Sequence, residues 1–488
     1  MTDEHASAAR RRQAFALLAT AQFAVVLDIT IVNVALPSIE TALGFSRPDL
    51  AWVVDAYLLT FGGFLLLGGR AADLLGRKRI FLTGLVTFGL ASVACGLAET
   101  GWQLVAARAV QGLGGAMLSP AGLSLVAVTF QEETERNRAM GTWTAVSGAG
   151  GATGVVLGGV LTHALGWPWV FWVNAPLTLG AALLGIRLIT DAGARRCVSA
   201  REFDVLGALT ATAGLTLLIF GLVQAGEHGL GSSATLAALG AAAFLLVGFA
   251  LTELRASTPL ISFDVFRSGA LCVANAMMVV FMAGVVATNF FVTLYAQQVI
   301  GYGPVGAGLS LLPLALGQVV FARIAARRLV RVGVLRTLLT GMGAAVLGYV
   351  WFSFLSPRGS FAADILGPAA LVSVGGGFGF VVLIVLSVSG VEPRRAGLAG
   401  GLINMSQQVG GALGLALLAS LATWWTAHEV HHGVAARQAS TDGFRLGFLA
   451  AAALVTAGTI AATFTLRTRA ERTRASTPDP PPETVSAP

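Results

Sequence analysis

Long apolar runs separated by short polar segments dominate the chain. The first run extends from Ala14 to Pro37, and thirteen more occupy about residues 50–69, 80–98, 103–130, 138–162, 169–190, 205–225, 233–253, 270–300, 305–322, 332–356, 362–390, 396–427 and 446–466. Each approaches or exceeds the roughly 20 residues that a helix needs to cross a bilayer. The pattern predicts an all-α polytopic membrane protein with fourteen transmembrane helices.

Composition excludes a soluble globular protein, because 55% of the residues are hydrophobic, 11% are charged and the mean hydropathy is +0.78. The net charge of +7 lies in short clusters between apolar runs, so we expect no nucleic-acid partner. Cys95, Cys197 and Cys272 show neither disulfide nor zinc spacing, and we expect no metal and no cofactor. Lys78 is the only lysine, which is typical of a GC-rich bacterial genome.

The basic residues indicate the topology. Twenty-six of the 31 lie on the two terminal segments and on those inter-helix segments that share their predicted side of the membrane. The opposite side has only Arg47, Arg358, Arg437 and Arg445, and Arg108 lies within a helix. Since basic residues favour the inner side of a membrane, both termini are predicted to be cytoplasmic.

The first apolar run follows a polar segment, residues 1–13, and a signal peptide is one interpretation. The run is too long for that, contains Asp28 and Asn33, and lacks a small-x-small cleavage site, so we interpret it as a retained first helix.

A weak internal repeat predicts the domain organisation. The segment Gly69–Asp73 and the basic residues after it resemble Ala322–Ala326 and the basic residues that follow. Internal repeats of this kind are typical of secondary transporters. We therefore predict two six-helix bundles, 14–190 and 270–466, an inserted helix pair at 205–253, and a disordered cytoplasmic tail at 467–488.

Charged residues inside the predicted helices and away from their ends include Asp28, Asp55 and Arg108. A charge at mid-membrane costs about 2.5–3.5 kcal/mol on insertion scales and is retained mainly for function. Counted from the outer helix ends, Asp28, Asp55 and Arg108 lie roughly 13, 5 and 9 Å deep in the membrane, so their side chains could reach one another. The alternative is that the Arg108 side chain only extends to the membrane interface. We predict a proton-coupling group in which one carboxylate stays ionised beside Arg108 while the other exchanges a proton; the sequence does not decide which.

The segment after the second helix reads G-R-A-A-D-L-L-G-R-K-R. It is either an ordinary basic turn or a latch in which Asp73 accepts charge-assisted hydrogen bonds and the glycines permit close backbone approach. We predict an inner-gate loop formed by Gly69, Asp73, Gly76, Arg77, Lys78 and Arg79.

The fifth helix is rich in glycine. Gly150, Gly154 and Gly158 form one stripe, and Gly159 follows. Such a stripe serves either close helix packing or a seam along which two helices rock.

These motifs resemble those of the fourteen-helix drug:proton antiporters of the major facilitator superfamily, over about Ala14 to Leu466. The similar segments are the first-helix motif Asp28–Pro37, the segment Gly69–Arg79, the R-x-x-Q-G motif at Arg108–Gly112, and Trp167–Pro176. Val155 replaces a proline of the antiporter signature, and Pro168 replaces an arginine of the last motif. The resemblance implies alternating access, a role of Arg108 in proton coupling, and export of amphipathic or cationic organic molecules.

We therefore predict that the chain is not an enzyme but a monomeric exporter of antibiotics, drugs or dyes in the bacterial cell membrane, with protons, small-molecule substrates and lipid as its partners. Candidates for the substrate cavity are Asn33, Tyr57, Gln111, Asn174, Phe291, Tyr295 and Gln298.

Three alternatives stay open. The small number of acidic residues inside the helices, and Val155 in place of the proline of the antiporter signature, leave open an exporter or importer of one specific metabolite. A membrane-embedded enzyme would need buried His or Cys beside acids, and the histidines lie outside the helices or at their edges. A sensor would need a signalling domain. The cluster His428, Glu429, His431 and His432 is interpreted as an outer loop rather than a metal site.

Overall fold

The computed structural model describes residues 2–130, 132–189, 205–229, 231–255, 269–389 and 396–475. The long helices of this part of the chain are α1 (Thr2–Leu43), α2 (Trp52–Leu75), α3 (Arg77–Gly96), α4 (Gly101–Thr129), α5 (Glu133–Leu165), α6 (Asn174–Leu188), α7 (Val205–His228), α8 (Ser233–Arg255), α9 (Gly269–Leu294), α10 (Pro304–Val332), α11 (Val334–Phe352), α12 (Gly367–Val388), α13 (Ala396–His431) and α14 (Ala436–Ala475). Short helical turns lie at Arg47–Leu50 and Trp169–Trp172, and π-helical turns at Tyr295–Ile300 and Phe361–Leu366. The prediction of an all-α membrane protein is confirmed.

Within the described residues, eleven helical segments are long and apolar enough to cross a membrane. Three shorter apolar segments, Trp52–Leu65, Ala149–Leu165 and Leu209–Ala225, belong to α2, α5 and α7. The count of fourteen spanning helices and the cytoplasmic position of both termini stay predictions. Following the predicted topology, we call the end of the bundle at which α1 finishes the outer end.

Helix contacts fall into two groups. In the first, which we call the N half (α1–α6), α1 packs against α5 and α6, and α4 packs against α2 and α3. In the second, the C half (α9–α14), α9 packs against α13 and α14, and α12 packs against α10 and α11. The halves meet along two seams, α2 against α13 and α5 against α10. The predicted domain boundaries remain proposals, since residues 190–204 and 256–268 lie outside the described residues.

Helix α7 packs on α8 and also contacts α2 and α13, which belong to different halves. Its approach to α2 is close, because a Cβ atom added at Gly63 would lie 2.1 Å from Oγ1 of Thr212. The inserted pair therefore lies against the α2–α13 seam.

The glycine stripe of α5 packs against the backbone of α1. A Cβ atom added at Gly150, Gly154 or Gly158 would lie 3.0, 2.8 or 2.7 Å from an α1 carbonyl oxygen. Those oxygens belong to Phe23, Leu27 and Ile31. The stripe thus serves close packing within the N half.

Gly159 lies on a different face of α5 and meets the C half. A Cβ atom there would lie 2.7 Å from Cα of Val305, and one added at Gly308 of α10 would lie 2.5 Å from the carbonyl oxygen of Val155. Glycines from both halves therefore let α5 and α10 cross backbone to backbone near the outer end.

The predicted inner-gate loop is mostly helical. Gly69 and Asp73 belong to α2, and only Gly76, with φ 104°, separates α2 from α3. The prediction of a loop over Gly69–Arg79 was wrong, because a single glycine in a conformation that other residues rarely adopt is enough to reverse the chain. Lys78 Nζ donates to the carbonyl oxygen of Ile186, 2.8 Å away, at the end of α6. The side chain of Asp73 lies outside the described residues.

Two helices extend past their predicted ends. α14 continues to Ala475, so residues 467–475 are helical and not disordered as predicted. This stretch is mostly polar, but its Arg, Ala and Glu residues are good helix formers. Residues 476–488 lie outside the described residues. α13 continues to His431, which places His428 on a helix rather than in a loop.

The stripe on α5 gives a stability prediction. Gly154→Ala would place Cβ 2.0 Å from Oγ1 of Thr30 and 2.8 Å from the Leu27 oxygen, so α1 must move. We expect a loss of about 1–3 kcal/mol of stability, seen as a lower melting temperature of the purified protein. Gly180→Ala in α6, where no atom lies within 4 Å of the added Cβ, is the control and should melt like wild type. Equal melting temperatures for both variants would contradict the packing role.

Candidate functional site

Asp28 lies fully buried on α1, inside the N half. Its carboxylate accepts three hydrogen bonds from side chains. Arg108 Nη1 donates to Oδ2 at 2.6 Å, and Gln111 Nε2 and Asn174 Nδ2 each donate to Oδ1 at 2.8 Å. The donors come from α4 and α6, so one carboxylate connects three helices.

Arg108, which is 1% exposed, is the partner of that charge. Its Nε donates to the carbonyl oxygen of Val53 on α2 at 2.9 Å, and its Nη1 also donates to Gln111 Oε1 at 2.7 Å. The guanidinium carbon lies 4.3 Å from the ring centroid of Tyr57, a cation–π distance. The guanidinium is thus paired with a charge, a backbone oxygen, an amide and an aromatic face.

Glycines of α4 bring the neighbouring helices close enough for these bonds. A Cβ atom added at Gly112 would lie 2.5 Å from the Tyr57 carbonyl oxygen on α2, and one at Gly114 would lie 2.6 Å from the Phe88 amide nitrogen on α3. Arg108 and Gln111, three residues apart, share one face of α4. The segment therefore combines a polar face with small residues at its contacts.

Two residues of α3 complete the cluster, and sequence reasoning missed both. Gln111 Nε2 donates to Ser92 Oγ at 2.8 Å, and Cys95 Sγ lies 3.6 Å from Gln111 Oε1. Ser92 Oγ donates its own proton to the Phe88 carbonyl oxygen at 2.8 Å, so towards Gln111 it can only accept. Small polar residues are common in membrane helices, and no sequence signal marks these two.

The Gln111 amide has one orientation that satisfies all its neighbours. Its oxygen must face the Arg108 donor, and its nitrogen must face two acceptors, Asp28 and Ser92. A flipped amide would set oxygen against oxygen at two contacts. Gln111 therefore aligns Arg108 and Asp28.

Asp55 does not join this cluster. We expected one of the two carboxylates to pair with Arg108; its salt bridge is with Asp28, and towards α2 Arg108 bonds the Val53 backbone instead. Asp55 is fully buried, and neither carboxylate oxygen has a hydrogen-bond partner among the described residues. Similar depth in the membrane did not indicate which carboxylate pairs, because depth does not fix the direction in which a side chain points around its helix.

Comparison with known proteins identifies the family. The sequence profile of the Major Facilitator Superfamily matches residues 18–415. The chain belongs to this superfamily.

Curated relatives of this superfamily member include antibiotic exporters and resistance proteins. It is 42% identical to a cephamycin export protein of Amycolatopsis lactamdurans, over 83% of this chain and 84% of the relative. It is 39% identical to a puromycin resistance protein of Streptomyces alboniger, over 91% of this chain and 88% of the relative. A tetracenomycin C resistance and export protein of Streptomyces glaucescens is 36% identical, over 81% of this chain and 73% of the relative.

Solved transporter structures share the fold of this superfamily member. A bacterial homologue of the human lysosomal transporter Spinster superimposes with a TM-score of 0.68 at 15% identity, covering 95% of this chain and 98% of that one. An auto-inhibited peptide transporter of the POT family gives a TM-score of 0.68 at 16% identity, covering 92% of this chain and 96% of that one.

The predicted cavity residues of this superfamily member do not lie in one place. Tyr57, Gln111 and Asn174 belong to the Asp28 cluster, whereas Asn33 donates to the Ile29 oxygen of its own helix at 2.8 Å.

The remaining candidates lie in or beside the C half. Tyr295 donates to the Ser356 oxygen at 2.7 Å, and Gln298 Nε2 donates to Glu40 Oε2 at 3.2 Å, a bond between the halves. Phe291 lines a cavity of about 20 Å³ in the C half, which has room for about one water molecule and not for a drug.

No group of three or more His, Cys, Asp or Glu side chains in the described part of the chain could bind a metal ion. His428 instead stacks on Trp424, with ring centroids 6.0 Å apart.

The buried pair gives a thermodynamic prediction. Arg108→Gln should lower stability by roughly 3–5 kcal/mol, because it leaves the buried Asp28 charge without its partner. Adding Asp28→Asn removes that charge and should restore part of the loss. The measurement is a double-mutant cycle on thermal unfolding of the purified protein.

The control is Arg11→Gln. Arg11 lies 3.7 Å from Glu135 in a pair that is about half exposed, where we expect a change within about 1 kcal/mol. Strictly additive effects of the Arg108 and Asp28 substitutions would contradict a direct interaction.

Proposed function

We propose that this protein exports amphipathic or hydrophobic small molecules, among them antibiotics, in exchange for protons and by alternating access. The observation that supports this most is the buried Asp28–Arg108 pair in a chain of this superfamily. An ion pair inside a membrane domain is expensive to retain and is typical of proton and substrate pathways. Relatives whose names record export of or resistance to cephamycin, puromycin and tetracenomycin C support the substrate class.

The proposed coupling uses two carboxyl groups in different environments. Asp28 is balanced by Arg108 and by two amide donors, whereas the Asp55 carboxyl has no hydrogen-bond partner in the part of the chain that the structure describes. Protonation of Asp28 would remove the charge that Arg108 faces and release its bonds. A change of proton occupancy can therefore alter how α1, α4 and α6 pack, and this is the event that we propose is linked to movement of the halves.

We further propose that the protein works as a monomer in the cell membrane of a bacterium, with both termini on the cytoplasmic side. The segment from Gly69 to Arg79 would then lie on the inner face, where Lys78 joins the start of α3 to the end of α6. A bond of this kind links the inner ends of α3 and α6.

The function is tested by drug flux in everted vesicles or proteoliposomes with an imposed pH gradient. Puromycin, a cephamycin, tetracenomycin C and the cationic dye ethidium form the panel. Wild type should accumulate at least one of them in a gradient-dependent manner, and Asp28→Asn should reduce that flux at least about tenfold, because the site loses one of its two exchangeable charges. Membrane insertion should be unchanged.

Asp49→Asn is the matched control, since Asp49 is an exposed acid on the short turn before α2, and its flux should equal that of wild type. Wild-type coupled flux in Asp28→Asn, in Asp55→Asn and in the double variant would refute the carboxylate mechanism. Transport confined to one metabolite outside the panel would favour a dedicated transporter.

A further inference from the structure

The hairpin of α10 and α11 carries a cluster of arginines at the inner end of the molecule, opposite to the outer end defined above. Gly333, with φ 83°, is the single residue between the two helices. Five arginines of this hairpin are exposed, and we call them the arginine patch: Arg323, Arg327, Arg328, Arg331 and Arg336.

No acid on the same hairpin offsets this charge. Residues 265–363 contain neither Asp nor Glu. Among the described residues, the one side-chain hydrogen bond of the patch joins Arg328 Nη2 to Thr340 Oγ1 at 3.5 Å, and no salt bridge involves a patch residue. Five guanidinium groups thus lie together without an anionic partner from the described part of the protein.

The basic turn between α2 and α3 in the N half differs from the arginine patch. In that turn Asp73 lies among the cations in the sequence, and Lys78 Nζ donates to the Ile186 oxygen at 2.8 Å. A basic turn of this kind can serve orientation in the membrane and contacts within the protein. The charge of the arginine patch, in contrast, is available to a partner outside the chain.

The arginines of α10 continue an apolar stripe on one face of that helix. From the outer to the inner end, this exposed stripe consists of Leu309, Leu316, Val320, Ile324, Arg327 and Arg331. Spacings of seven, four, four, three and four residues keep all six on one side of the helix. On the opposite side, Ala307, Leu314 and Ala325 are buried. The stripe therefore faces the lipid.

Helix α11 repeats this arrangement. Arg336, Thr340 and Leu347 are exposed and lie four and seven residues apart on one face. On the same face, a Cβ atom added at Gly343 would meet no atom within 4 Å. Both α10 and α11 pack against α12, and the bond from Arg328 to Thr340 joins their inner ends. The hairpin thus presents two neighbouring stripes that each end in arginine.

The dimensions of the α10 stripe match one leaflet of a bilayer. Leu316 and Arg327 are eleven residues apart, which is roughly 16 Å along the helix axis. Half of a hydrocarbon core of about 30 Å is roughly 15 Å. An acyl chain lying along Leu316 and Ile324 would therefore bring its headgroup phosphate to the level of Arg327, and guanidinium groups bind phosphate through paired hydrogen bonds.

We infer that the arginine patch and the stripes that lead to it bind an anionic phospholipid of the leaflet at the inner end. The acyl chains contact Leu316, Val320 and Ile324, and the headgroup phosphate accepts hydrogen bonds from Arg327 and Arg331. Basic groups between helices at this level are typical binding sites for anionic headgroups. The bound lipid offsets the repulsion among the arginines and so holds the inner ends of α10 and α11 together.

The test is native mass spectrometry of the full-length protein in detergent with equal amounts of phosphatidylglycerol and phosphatidylcholine. Wild type should carry phosphatidylglycerol at least about tenfold more often than phosphatidylcholine, because each basic residue near an anionic headgroup contributes roughly fivefold to affinity. In Arg327→Gln with Arg331→Gln this preference should fall below about twofold, since two of the contacts with the phosphate are lost.

The matched control is Arg11→Gln with Arg12→Gln, which removes two exposed arginines from the inner end of the N half and should keep the wild-type preference. If the first pair of substitutions prevents folding, Arg323→Gln replaces it. This single substitution on the same face of α10 should lower the preference about fivefold.

An equal loss of preference in the two pairs of substitutions would overturn the inference, because the attraction would then be a property of the total charge. Displacement of the lipid by an excess of sn-glycerol 3-phosphate, which has no acyl chains, would also overturn it in favour of a site for free phosphates. The binding is read without drug, proton gradient or flux, so failure of the proposed export leaves this measurement unaffected.

Discussion

Inside the hydrophobic region of a membrane protein, a carboxylate or a guanidinium costs much free energy unless each is paired with the other. The centre of the N half contains such a pair. Arg108 and Asp28 meet at 2.6 Å with almost no exposed surface. Gln111, Asn174 and the Val53 oxygen make further hydrogen bonds to the pair. Glycines on α4 and α5 bring α1, α2 and α3 close enough for these bonds to form. The sequence thus combines polar side chains with small residues on the helices that surround them.

The two seams between the halves differ in chemistry. At α5–α10, Gly159 and Gly308 permit backbone contact near the outer end. At α2–α13, the buried Asp55 carboxyl has no hydrogen-bond partner among the described residues, and α7 packs against both helices of this seam. The Asp28–Arg108 pair stays within one half and connects its helices.

Sequence patterns predicted most of the helices and the main members of the site, for identifiable reasons. Apolar runs mark helices that face lipid, and Asp28, Arg108 and Gln111 stand out because polar groups are rare there. The choice of Asp28 over Asp55 as the partner of Arg108 depends on rotation about each helix axis, which depth alone does not give. Ser92 gives no signal because single hydroxyls are common in such helices. The extension of α14 to Ala475 reflects helix propensity beyond the apolar run.

The central claim is that drug export is coupled to proton exchange on Asp28 and Asp55, so that binding of a drug releases protons. The most direct measurement is proton release when a transported drug from the panel is added to purified protein in weakly buffered detergent solution with a pH indicator. The account predicts acidification that saturates with drug binding in wild type and is absent when Asp28 and Asp55 are both replaced by asparagine. Drug binding without proton release in wild type, or equal release from the double variant, would contradict it.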